Sequence, residues 1–220
     1  MVDIRKVTRE TLPDGDLDKL VDLYLTCFSE RIQPGTEQKN SEEDIKDALD
    51  NRTLHVAYEG KDIAGFLVSD DLTGSLAALF DLAINFSNFR DKSSHYQVDL
   101  AILGFLARGA CSNTLPEKFI EEGKIRSYMH APFSNVLPGD IIKYATAVHP
   151  EHRSNGVARD LSMTLAEEAR QREVRHIFTL CTNDPHIRAM NDSLGYLPIV
   201  DIEPFYADGT KTTLMVKDFQ

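Results

Sequence analysis

Val148-His149-Pro150-Glu151-His152-Arg153-Ser154-Asn155-Gly156-Val157-Ala158 is the stretch whose residue types and spacing best fit a chemical task. It follows an apolar run, Ile141 to Val148, that reads as a strand. It opens an amphipathic helix with Val157, Leu161, Leu165 and Ala169 on one face. A strand that turns through Arg-x-x-Gly-x-Ala into a helix is a phosphate cradle. Successive backbone N–H groups point into the turn, and the helix N-terminus adds partial positive charge. Gly156 has no side chain to block a pyrophosphate, and Ala158 has almost none. His152, Arg153 and Arg159 are close to the phosphates this cradle would hold.

Two common phosphate loops do not fit. The nucleoside-triphosphate loop ends in Gly-Lys-Ser/Thr, whereas Val157 and Ala158 follow Gly156 here. The dinucleotide fingerprint needs three spaced glycines, and only Gly156 is present. The pattern instead resembles motif A of the GNAT acetyltransferase superfamily, Gln/Arg-x-x-Gly-x-Gly/Ala, which binds the pyrophosphate of coenzyme A. The order of elements strengthens the likeness: a strand ending in Val-x-Pro, the loop, a helix, a strand from His176 to Cys181, and a helix ending at Leu194-Gly195-Tyr196, similar to the family's Leu-Gly-Phe.

That resemblance implies acetyl-CoA as co-substrate. It places Ala147, Val148, Arg153, Ser154, Asn155, Gly156, Val157 and Ala158 against the cofactor, with an N–H near Ala147 or Val148 donating to the thioester carbonyl. Asn183 falls where the family often has a polar contact to the pantetheine arm. A tyrosine often stands four residues before the Gly of Leu-Gly-Phe and protonates the leaving thiolate. Asn191 stands there in this chain, so that donor is unassigned; Thr182, Asn183, Ser193 and water are the alternatives.

A narrower likeness is to insect- and nematode-type arylalkylamine N-acetyltransferases. It rests on Cys27-Phe28-Ser29-Glu30, a long helical insert, and Cys181-Thr182-Asn183 leading into Arg188-Ala189-Met190. It implies a small primary amine as acceptor and direct transfer in a ternary complex. Glu30 is then the base candidate, because a carboxylate can bind an ammonium and relay its proton through water. The alternative is a helix-end glutamate paired with Arg31. His130, in the aromatic run Tyr128-Met129-His130-Ala131-Pro132-Phe133, is the rival base, since imidazole titrates in the right range. Two other functions stay open: transfer to a protein N-terminus or lysine, and a CoA-binding module without turnover.

The elements that must position these residues read as one domain over residues 1–220, α/β in class. A GNAT-type mixed, mostly antiparallel central sheet is flanked by helices. Asp3 to Val7 alternates as a strand. Asp16 to Phe28 carries Leu17, Leu20, Val21, Tyr24, Leu25 and Phe28 at helical spacing. Gln33-Pro34-Gly35 breaks the chain, and Ser41 opens a second helix with Asp44 as capping partner. A hairpin turns at Glu59-Gly60-Lys61-Asp62. Between about residues 70 and 140 an insert far above ordinary loop length separates the third and fourth strands. In it Leu76 to Phe86, Val98 to Ala110 and Pro116 to Tyr128 look helical. Along Ile141 to Val148, alternation puts Ile142, Tyr144, Thr146 and Val148 on one face. Asp184-Pro185 caps a helix, and Asp208-Gly209 signals a closing hairpin.

Composition removes several classes. The net charge of -11 is the wrong sign for a nucleic-acid binder. It suits solubility or attraction of a cationic amine. No apolar run has the length of a membrane span, and Met-Val-Asp-Ile-Arg-Lys is no signal peptide. Cys27, Cys111 and Cys181 read as free thiols in a reducing compartment, which makes the cytoplasm the expected location. Direct transfer needs no covalent intermediate, so Cys111 and Cys181 are read as structural thiols rather than nucleophiles. The 7 histidines show no metal-type spacing, so no metal is expected. Oligomeric state is not legible.

Overall fold

The computed structural model describes residues 2–28, 37–72, 125–127, 139–182, 184–202 and 212–219. Its elements in chain order are β1 (Asp3–Val7), α1 (Asp16–Phe28), α2 (Glu37–Asn51), β2 (Thr53–Glu59), β3 (Asp62–Asp71), β4 (Ile125–Ser127) and β5 (Ile141–Val148). A 3-10 turn (Pro150–His152) follows, then α3 (Val157–Gln171), β6 (His176–Thr182), α4 (Pro185–Ser193), β7 (Leu197–Ile202) and β8 (Thr212–Asp218). The class is α/β, as the sequence implies. By proximity the chain divides into two units, Met1–Asp70 with Lys143–Arg172, and Asp71–Ile142 with Glu173–Gln220.

In the first unit the strands lie in the order β1-β2-β3-β5. β1 and β2 pair antiparallel with Ile4 opposite Ala57, and β2 and β3 with Val56 opposite Phe66. The apolar stripe of α1 (Leu20, Val21, Tyr24) and that of α2 (Ile45, Ala48, Leu49) pack into one cluster with Leu54, Val56, Phe66 and Ala147 of the strands. α3 buries Val157, Leu161, Leu165 and Ala169, the stripe expected from sequence. Each large apolar side chain so buried contributes roughly 1.5–3 kcal/mol. Two polar side chains of α3 meet buried partners on the sheet, although His55 Nδ1 has no hydrogen-bond partner among the described residues. Glu168 meets the buried His55 Nε2 at 3.0 Å, and Lys143 Nζ donates to Ser162 Oγ at 3.5 Å.

Two expectations in this unit are corrected. α2 begins at Glu37, not at Ser41. Ser41 is buried inside the helix, and its supposed capping partner Asp44 accepts a hydrogen bond from Tyr24 of α1 instead. The tertiary partner outcompetes the local one. Along β5 the strict alternation also fails. The neighbours Tyr144 and Ala145 both pack against the α1–α2 cluster, and so does Ala147. Val148 lies with Val157 of α3 beside Gly65. Tyr144 and Val148 therefore do not share a face, because a strand that puts two successive residues on one side has lost its period of two.

In the second unit the order is β6-β8-β7-β4. All three pairs are antiparallel, with Phe178 opposite Val216 and Leu197 opposite Val216 on its other side. The hairpin expected around Asp208-Gly209 joins β7 to β8, but its turn lies outside the described residues. Asp140 takes two hydrogen bonds from the buried His176, from its backbone N–H at 3.0 Å and its Nδ1 at 2.8 Å. Asp184 caps α4 as expected, accepting from His186 and Ile187 N–H, with Pro185 in the first turn.

The insert needs one correction. Ile125–Ser127, expected at the end of a helix, is a strand with Ile125 opposite Ile202 of β7. Helix propensity is a weak prior, and the edge of β7 offers ladder hydrogen bonds that override it. The rest of that helix, and those expected over residues 76–86 and 98–110, lie outside the described residues.

Candidate active site

At the end of β5 the peptide joining Val148 to His149 is gripped from both sides. His149 N–H donates to Ala64 O of β3 at 2.9 Å. The Val148 carbonyl accepts from Arg153 Nε at 3.3 Å and from Cys27 Sγ at 3.6 Å. One peptide earlier, the Ala147 carbonyl approaches Gly65 so closely that a Cβ there would lie 2.7 Å from it. In a trans peptide the C=O and N–H point in opposite directions. The Val148 N–H is therefore aimed away from β3. Thr146 Oγ1, on the same strand, is buried and has no hydrogen-bond partner among the described residues.

The chain then turns. His149 Nδ1 accepts from Glu151 N–H at 3.4 Å and starts the 3-10 turn. His152 Nδ1 pairs with Glu59 Oε2 at 2.8 Å, which ties the β2–β3 hairpin to the loop. Ser154 and Gly156 both stand in the left-handed region, at φ 65° and 84°. Gly156 is the N-cap of α3 and brings no side chain to satisfy its first turn. The leading N–H groups of α3 have no intrahelical acceptor, so they face outward as donors with the positive end of the helix dipole. The space beside Gly156 is open, with nothing within 4 Å of the position a Cβ would take. Ser154, Asn155 and Gly156 are exposed, Ala158 is partly exposed, and Val157 is buried as an anchor.

The structure thus brings Ala147, Val148, Arg153, Ser154, Asn155, Gly156, Val157 and Ala158 into one strand–loop–helix corner. Arg153 is folded back on the Val148 carbonyl, with Nη2 3.8 Å from Cys27 Sγ. Glu30, His130 and Asn183 lie outside the described residues. Asn191, which stands in the tyrosine position, is buried. Cys181 is buried and its Sγ donates to Thr182 O at 3.2 Å, a packing role. Among the described residues no group of His, Cys, Asp and Glu is arranged to hold a metal ion, and no helix is long and apolar enough to cross a membrane.

A polar cluster stands on the α1–α2 side of β5. Tyr24 Oη donates to Asp44 Oδ2 at 2.9 Å. The Tyr24 ring lies 4.9 Å from the Phe28 ring and stacks at 6.2 Å on Phe66. Arg52 spans Asp47, at 2.7 Å, and the face of the Tyr144 ring, at 4.6 Å. Burial pushes the Asp44 carboxyl up to about 6, against the pull of the Tyr24 hydroxyl and Arg52. Burial likewise pushes the Tyr144 phenol up to about 12.

The model of the Acetyltransferase (GNAT) family matches residues 123–196, which contain β5, the loop, α3, β6 and α4. No curated protein matches the chain. Solved structures share the fold at low identity. One is Arabidopsis thaliana NAA60 in complex with acetyl-CoA, with 12% identity, a TM-score of 0.57 and coverage of 100% of this chain and 99% of that one. Another is an N-acetyltransferase from Staphylococcus aureus Mu50, with 10% identity, a TM-score of 0.56 and coverage of 99% and 97%. A third is the IAA acetyltransferase from Bacillus cereus, with 10% identity, a TM-score of 0.53 and full coverage of both chains. The fold is that of the GNAT acetyltransferases, a mixed sheet flanked by helices.

Proposed function

We propose that this chain is an acetyl-CoA-dependent N-acetyltransferase that acts on a small primary amine, an arylalkylamine being the favoured class, by direct transfer in a ternary complex. The observation that carries the reading is the β5–loop–α3 corner. Uncapped N–H donors, a left-handed Gly156 and open space beside it meet at one point. These features fit a diphosphate: its oxygens need several N–H donors and a backbone they can approach closely. Thr146 Oγ1 and the Val148 N–H offer further polar atoms along the strand where an amide-bearing arm would lie. The matching family model and the acetyl-CoA carried by the Arabidopsis relative support the same choice of cofactor.

In this reading the N–H groups from Ser154 to Ala158 hold the diphosphate, with Arg153 beside them, its own N–H being given to Pro150 O at 3.3 Å. Asn183 contacts the arm. The N–H of Val148, or that of Ala147, donates to the thioester oxygen as charge builds on it. When bound, acetyl-CoA supplies the activated acetyl group. The chain's part is to orient the acceptor and take up its proton, with Glu30 and His130 as the base candidates from sequence. The acidic balance of the chain favours a cationic acceptor. Isothermal titration with acetyl-CoA tests the cofactor: saturable heat at tens of micromolar protein is expected, and its absence removes the basis of the reading. Thiol release with a panel of arylalkylamines, polyamines, amino sugars and peptides then tests the acceptor. A preference for peptides over every small amine would overturn the class.

A further inference from the structure

We infer that Asp44, positioned by Tyr24, is the carboxylate that receives the acceptor's ammonium group and takes its proton. This rests on the acetyltransferase reading above and goes beyond it by assigning the acceptor's place to residues the sequence did not suggest.

Tyr24 stacks on Phe66, which follows Gly65, and Gly65 is where β3 closes on the Ala147 carbonyl. The Tyr24 ring and its hydroxyl therefore stand over the strand pair that presents the Val148 N–H. One turn further along α1, Phe28 is half-exposed, and Cys27 touches the Val148 carbonyl itself. From the other side, Tyr144 and Ala145 of β5 pack on the same cluster, with Arg52 over the Tyr144 ring. Asp44 lies within this frame, half-buried. One of its oxygens is engaged by Tyr24, and among the described residues no donor reaches the other. The Tyr24 ring that leads to Asp44 has the half-exposed Phe28 ring 4.9 Å away. A carboxylate edged by aromatic faces suits a primary ammonium on an apolar or aromatic stem.

Among the described residues, few charged or titratable groups act on Asp44. Tyr24 of α1 donates to it, and Arg52, Asp47 and Glu43 of α2 act on it through space. Arg52 is already divided between Asp47 and the Tyr144 ring. A cation arriving at the open oxygen thus adds a counter-charge that the folded chain only partly supplies. The step balances simply. The ammonium binds Asp44 as its ion pair and passes one proton to the carboxylate, leaving a neutral amine and a neutral acid. The nitrogen lone pair forms the new C–N bond as the C–S bond breaks with its electron pair on sulfur. The surplus proton on nitrogen ends on that sulfur, and Asp44 returns its own proton to water.

The test uses the intact chain, 2-phenylethylamine as acceptor probe, and the variants Asp44→Asn and Tyr24→Phe. Calorimetry reads acetyl-CoA and amine binding separately, and steady-state assays read kcat/KM against pH. Asp44→Asn is expected to bind acetyl-CoA as the parent does, to bind the amine at least tenfold more weakly, and to lose the acidic limb of the pH profile. Tyr24→Phe keeps the ring but removes the donor that holds the Asp44 carboxyl down, so its acidic limb should move upward in pH. A purely structural tyrosine would leave that limb in place, so this variant decides the matter even if Asp44→Asn fails to fold. Unchanged amine affinity and an unchanged acidic limb in both variants would overturn the inference. So would a parent protein that binds acetyl-CoA but not the amine. Absence of acetyl-CoA binding by the parent sinks the cofactor reading instead, and Asp44-dependent amine binding would then stand as a separate fact.

Discussion

Gly156 stands at φ 84° with room beside it, so an added methyl group would strain the backbone without clashing. Gly156→Ala should cost about 1 kcal/mol of stability, the scale of a left-handed alanine. It should also weaken acetyl-CoA by about tenfold or more, because the strain is relieved by turning the loop N–H groups away; thermal denaturation and calorimetry read the two effects. Asp44 makes a prediction of opposite sign. Its folded carboxyl, pushed up to about 6, holds a proton more readily than in the unfolded chain. Stability therefore falls as pH rises from the ordinary carboxylate range through about 6, and above that the ionised group opposes folding in full. Asp44→Asn should be more stable than the parent at pH 8, by on the order of 1–2 kcal/mol, and no more stable at acid pH. Melting curves at both pH values check this. These two residues mark the limits of reading a sequence. Gly156 was legible because its task is local, a turn and a helix start. Asp44 resembled a capping partner for Ser41, and only the approach of α1 shows that its partner is Tyr24.

At the scale of elements, most helices and strands were written in periodicity and caps. α1, α3 and α4 lie where apolar spacing and the Asp184-Pro185 cap put them. Where the reading failed, a neighbour decided. β7 draws Ile125–Ser127 into a strand, and the packing of Tyr144 and Ala145 on one cluster breaks the period of β5. The contact between β3 and β5 at Gly65 gives a direct test. A methyl group there would stand 2.7 Å from the Ala147 carbonyl and 3.1 Å from Val157 Cγ1, and the first is backbone. Gly65→Ala should cost about 1–3 kcal/mol in urea denaturation. It should also reduce kcat, since the carbonyl that must move shares a peptide with the Val148 N–H. Asp140 offers a test in the second unit. It accepts from two donors of His176, so Asp140→Ala removes both of these buried hydrogen bonds and should cost about 3 kcal/mol by the same measurement.

For the molecule as a whole, the excess of 35 acidic over 24 basic residues was plain from composition, and it bears on encounter rather than on fold. The kcat/KM for a cationic amine should fall several-fold as ionic strength rises from about 0.02 to 0.5 M, because the Debye length shrinks to a few ångströms. An equal rate at both ends of a salt titration would show that the acidic surface serves solubility alone. The mixed sheet flanked by helices was legible only through the family resemblance, not from charge or periodicity. That the first unit is built from two distant segments, Met1–Asp70 and Lys143–Arg172, is a fact of long-range pairing that no local pattern encodes. It governs how the protein can be made. During synthesis β3 leaves the ribosome long before β5, and Cys27 waits for Val148, its partner 121 positions later. Until then one edge of β3 stands unpaired, an invitation to sticky encounters between nascent chains. Chains halted near residue 140 should be protease-sensitive and bound by chaperones, and release from both should come only once Arg172 has cleared the exit tunnel.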